Sequence, residues 1–114
     1  MLYDAKRWDP KLDPSPTTIA GHREQFCRDL ERGRWRQKRG GFGGKHHACA
    51  VGAALRYCGR SPMWWNGLLV PAATRNRLNL TLSLAAHMQW WNDRDKLTFP
   101  EIAQRLRQEW RVRP

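Results

Sequence analysis

Acidic side chains are missing from more than half of this chain: no Asp or Glu occurs between Arg32 and Asn92, a stretch of 61 residues. Ten basic residues fall inside it: Arg32, Arg34, Arg36, Lys38, Arg39, Lys45, Arg56, Arg60, Arg75 and Arg77. Outside it, eleven basic residues face ten acidic ones, so nearly all of the formal +11 sits in the middle. An unneutralised positive field attracts phosphates and carboxylates and steers their approach. The expected partner is therefore a polyanion or a strongly acidic surface. Long hydrophobic runs are also missing. No run of about 18 apolar residues exists, which excludes a membrane-spanning helix, and the N-terminal Met-Leu-Tyr-Asp-Ala-Lys-Arg-Trp lacks the apolar core of a secretory signal. Cysteine is scarce. Cys27, Cys49 and Cys58 make an odd number without framework spacing, which points to reduced thiols in a cytoplasm.

What is present suits one small helical domain. A chain of 114 residues has room for a single core, and 40% apolar content with seven Trp is enough to fold it. Pro10, Pro14 and Pro16 among charges make residues 1–16 an extended arm, leaving 17–114 as the domain. The first helix is expected from a cap at Thr17 or Thr18 to Arg32, with Ile19, Phe26, Cys27 and Leu30 on one face and Gly33 as its stop. Residues 34–47, with four glycines and no periodicity, read as a flexible loop. A second helix is expected over Ala48–Cys58. For the following segment, helix over Ala72–Trp91 competes with a short strand around 78–84, because Leu78, Leu80, Leu82 and Leu84 alternate with polar residues. Thr98 with Glu101 three residues on is a capping-box pattern opening a last helix, buried along Ile102, Ala103, Leu106 and Trp110. The fold class is mainly α: a bundle of about four helices carrying a Gly/Arg-rich loop.

Several of these segments together resemble a family. Cys49-Ala50-Val51-Gly52-Ala53, then Trp91-Asn92-Asp93, then Thr98-Phe99 leading into Glu101-Ile102 and Leu106 are similar to an uncharacterised family of small bacterial and phage-encoded proteins. Gly33-Arg34-Trp35-Arg36-Gln37 resembles the Gly-Trp-x-Gln segment that precedes those motifs, with one extra residue between Gly and Trp. The resemblance spans about residues 20–110. It implies a shared fold and brings no activity with it, and the acid-free stretch is not part of its pattern.

The loop from Arg32 to His47 is the candidate site. Arg34, Arg36, Lys38, Arg39 and Lys45 would neutralise phosphates, while Trp35 and Phe42 would stack on bases and His46 would join them. Glycine pairs permit close backbone approach and folding on binding. A nucleotide-binding P-loop is excluded: only three residues separate Gly40 from Gly44 where four are needed, and His46 replaces the magnesium-binding hydroxyl. His46, His47 and Cys49 supply half of a zinc set without its second pair, so no metal and no cofactor are expected. Cys49 with His87 and Asn92 spells a thiol-hydrolase set, and the histidine pair with Lys45 spells acid–base RNA cleavage. Both rank below structural roles. Of Trp64-Trp65 and Trp90-Trp91, one ring of each pair should face outward, since neighbours on an element point to different sides.

The expected function is a non-catalytic, cytoplasmic nucleic-acid-binding module, reading shape or single strands, whether DNA or RNA. The alternative is a phage-type inhibitor whose basic face docks on an acidic host protein or nucleoprotein. A small Cys- or His-dependent hydrolase or nuclease comes third.

Overall fold

Thr18 starts the first helix for a chemical reason: its hydroxyl accepts a hydrogen bond from the Gly21 amide at 3.0 Å, satisfying one of the donors a helix start leaves free. The protein was analysed as a computed structural model, which describes residues 16–39, 47–59 and 72–113. Helix α1 (Ile19–Arg32) ends where Gly33 turns left-handed at φ 80° and donates its amide to Asp29. Phe26, Cys27 and Leu30 are buried as the spacing predicts, but Ile19, in the first turn, is 41% exposed. That partner is α5 (Phe99–Val112), opened by the expected capping box of Thr98 and Glu101. The two run antiparallel. Cys27 Sγ donates to the Ala103 carbonyl at 3.7 Å, and Arg107 forks onto Glu24 and Glu31 at 2.7–3.2 Å.

The basic loop is not wholly irregular. Strand β1 (Arg36–Gln37) pairs in parallel with β2 (His47–Ala48), in the register Arg36 to His47 and Gln37 to Ala48. Residues 40–46 lie outside the described residues, as do most of the N-terminal arm and Trp64-Trp65. Helix α2 (Ala50–Tyr57) follows directly, two residues later than its composition suggests, because Cys49 itself takes the N-cap position. Its small side chains, Ala50, Gly52, Ala53 and Ala54, let it sink fully into the core.

The single helix expected over Ala72–Trp91 is instead two, α3 (Ala72–Arg77) and α4 (Leu82–Asp93). Asn79 adopts a left-handed φ of 47°, which no helix interior accepts, and the Thr81 hydroxyl then caps α4 by accepting from the Leu84 amide at 3.1 Å. The leucine alternation has a cause of its own. Leu78 and Leu80 both point inward from the turn around left-handed Asn79, whereas Leu82 is exposed, so neither a strand nor one long helix forms around 78–84.

The result is mainly α: among the described residues, five helices and a two-stranded ladder surround one core of Phe26, Leu30, Leu55, Leu78, Met88, Ile102 and Leu106. Burying each such side chain contributes about 1.5–3 kcal/mol. Among the described residues no helix is long and apolar enough to cross a membrane.

Candidate nucleic-acid interface

Strand alternation sorts the basic segment residue by residue. Arg36 and Lys38 are exposed, while Gln37 between them turns inward. Trp35, expected to offer a stacking face, is only 6% exposed and packs on Phe26 with ring centroids 6.1 Å apart. A large apolar ring beside the core is more stable inside it than in water. Arg34 follows it inward. Its guanidinium pairs with the buried Asp29 carboxylate at 2.8 Å and lies 4.7 Å over the Trp35 ring. Both are therefore structural, a correction to their expected role. Arg39 remains exposed yet anchored, donating to the backbone carbonyls of Asn92 at 3.1 Å and Lys96 at 3.0 Å. Phe42, Lys45 and His46 lie outside the described residues.

Arg39 leads to a polar knot that sequence inspection did not anticipate. Asn92, at 0% exposure, accepts from the Gln37 side-chain amide at 3.0 Å and from the Ala50 backbone amide at 3.2 Å. It donates to the Lys38 carbonyl at 2.8 Å and to Asp93 at 2.7 Å. Gln37 in turn donates to Leu97 O and accepts from the Phe99 amide. One side-chain cluster thus joins β1, the start of α2, the end of α4 and the start of α5. The segments around Gln37, Cys49-Ala50, Trp91-Asn92-Asp93 and Thr98-Phe99, far apart in the sequence, all meet here. The signal in the sequence was the Trp-Asn-Asp tripeptide at a helix end, which helix termination alone does not require.

The same end of the molecule carries the exposed aromatic. Of the adjacent pair, Trp91 is buried and Trp90 is 55% exposed, as neighbours on a helix must divide. The Arg94 guanidinium lies 5.8 Å over the Trp90 ring, Arg105 lies 5.9 Å over Trp91, and His87 stacks on Trp91 at 6.1 Å. Lys96 is exposed in the turn that follows α4, and Arg39 is anchored to its carbonyl. Asp93 and Asp95 lie in the same turn, and Asp93 receives the Asn92 amide rather than standing clear of the protein.

Cysteine chemistry is not assembled. Cys49 is buried, its sulfur accepts from the Gly52 amide at 3.3 Å, and burial raises its pKa above the ordinary thiol value. Desolvation pushes Cys27 up to about 12 and Cys58 up to about 11, the opposite of what a nucleophile needs. His87 stacks on the Trp91 ring, and the Asn92 side chain is taken up by the knot, where it accepts from the Ala50 amide beside Cys49. Among the described residues no group of His, Cys, Asp and Glu could hold a metal, and His47 is described only through the backbone of β2. All three cysteines are free and buried. Comparison of the chain with family models, with curated proteins and with solved structures gives no match.

Proposed function

We propose that the protein is a non-catalytic nucleic-acid-binding module. It engages unpaired bases through Trp90 and phosphates through Arg36, Lys38, Arg39, Arg94 and Lys96. The observation that carries this reading is the open face of Trp90, more than half exposed, with a guanidinium beside it. Exposing an indole to water is unfavourable, whereas a base stacked on it contributes about 1–3 kcal/mol. Arg39, tied to Lys96 O, brings the basic segment to this aromatic, and the net charge of +11 supplies the long-range attraction. Trp90 takes the stacking role first expected of Trp35.

The test is titration with single- and double-stranded oligonucleotides at several salt concentrations. Binding to single strands should weaken steeply with salt, by about 0.7 logarithmic units per phosphate contact per decade. Trp90→Ala should reduce single-strand affinity about tenfold or more while leaving thermal stability unchanged. Absence of any binding at low salt would refute the proposal. An exposed Trp is also a common anchor in protein interfaces, so Trp90 equally supports the second reading, docking on an acidic host protein. That reading predicts saturable binding to a defined acidic partner that Trp90→Ala abolishes, with no oligonucleotide binding.

A further inference from the structure

A cleft of about 340 Å³ opens where α1, the connection between α3 and α4, and the last turns of α5 meet. It lies within the lower range of small-ligand pockets. Arg23 forms one wall and is unusually well fixed. Its Nε donates to the Leu78 carbonyl at 2.7 Å and its Nη2 to the Asn79 carbonyl at 3.4 Å, which leaves Nη1 without a protein acceptor among the described residues, and its guanidinium lies 4.7 Å over the Trp110 ring. Burial lowers its pKa from the ordinary arginine value, and among the described residues no carboxylate pairs with it. The contrast with Arg107 on the same pair of helices is direct, since Arg107 is saturated by Glu24 and Glu31. A partly desolvated guanidinium with free N–H groups and no counter-charge is matched by an oxyanion.

The rest of the lining adds donors. Trp110 shares the cleft through its ring, while its indole N–H is buried away from solvent with no hydrogen-bond acceptor. The Thr81 hydroxyl oxygen already accepts from the Leu84 amide, so its proton is left to donate, and Ser83 adds a second hydroxyl. Arg113 brings a second guanidinium and Glu109 a single carboxylate, so positive charge prevails. Asn79, in the left-handed conformation, forms the rim, where non-glycine strain often marks function. Leu84 and the Trp110 ring give the cleft an apolar side, and the volume exceeds what one phosphate group fills.

From this arrangement we infer that the Arg23–Trp110 cleft binds a phosphate monoester attached to a small, partly apolar body, such as a nucleoside monophosphate. The near-dianionic phosphate matches two guanidiniums where a carboxylate would match one. The cleft adjoins the Trp90 surface through His87, which lines it and lies 6.2 Å from the Trp90 ring, but the proposal does not depend on the oligonucleotide reading.

The experiment is titration of the whole protein with adenosine monophosphate, followed by the proton–nitrogen signal of the Trp110 indole. The signal should move and saturate in the millimolar range or below, and adenosine without phosphate should leave it in place. Inorganic phosphate should bind more weakly, and equal affinity for it would overturn the assignment of an organic body. Arg113→Gln should weaken binding on the order of tenfold, the effect of losing one charge-assisted hydrogen bond. Arg23→Gln should weaken it at least as much. Because Arg23 also holds the Leu78 carbonyl, the exposed Arg113 variant decides the matter if Arg23→Gln unfolds. An unmoved Trp110 signal, or unchanged affinity in Arg113→Gln, would overturn the proposal.

Discussion

Asn92 shows how one residue can outweigh its neighbours. Its buried side chain accepts from Gln37 in β1 and from the Ala50 amide at the start of α2, and donates to the Lys38 carbonyl just after β1. Removing it leaves the Ala50 amide and the Lys38 carbonyl without their side-chain partner. Unsatisfied buried groups cost about 1–3 kcal/mol each. Asn92→Ala is therefore expected to lower unfolding stability by about 3 kcal/mol, read from the midpoint of urea denaturation. His22 offers a pH-dependent counterpart. Its Nδ1 shares a 2.8 Å hydrogen bond with the Tyr57 hydroxyl, and burial, then the nearby Arg77 charge, hold its pKa below the usual 6.5. The unfolded chain thus binds that proton first. The resulting stability is complete above pH 6.5 and is lost as pH falls through the lowered folded value. His22→Gln should flatten the decline of Tm below pH 6.5, leaving a shallower acid limb from Glu24, whose pKa the Arg107 hydrogen bond lowers.

At the scale of elements, local chemistry predicted ends better than interiors. Thr18, Gly33 and the Thr98–Glu101 box act where their side-chain and backbone preferences place them, because caps depend on neighbours three or four residues away. Thr98→Ala should cost about 1 kcal/mol by thermal or chemical denaturation. Double substitution with Glu101→Ala should cost less than the sum of the single effects, since the two groups serve one box. The break between α3 and α4 was not legible in the same way. Helix propensity favours Leu82–Asp93, but also the residues before it. What ends α3 is the inward pull on Leu78 and Leu80 together with the Arg23 bond to the Leu78 carbonyl, and both come from residues far away in the chain. The ladder of β1 and β2 is equally non-local, since two residues per strand carry no periodicity to detect.

For the whole molecule, charge and function are related through surface rather than through count. The acid-free stretch holds ten basic residues, yet Arg34 is neutralised by Asp29 and Arg77 donates to the Tyr57 carbonyl. Arg36 and Lys38 point outward and are expected to carry phosphate contacts. Replacing either with Ala should reduce the salt slope of single-strand binding by about 0.7 and weaken all sequences alike, measured by fluorescence titration at several salt concentrations. The sequence alone determined that the chain is mainly helical, where the first and last helices are capped, that its field is positive, and that one ring of the Trp90-Trp91 pair faces outward. These follow from composition, local hydrogen bonding and helix geometry. Only the tertiary structure decided that Trp35 is buried in the core and Arg34 is paired with Asp29 while Trp90 and Arg39 stay exposed, and that distant segments close on Asn92. A side chain's exposure depends on what the rest of the chain packs against it, and that information is spread over the whole sequence.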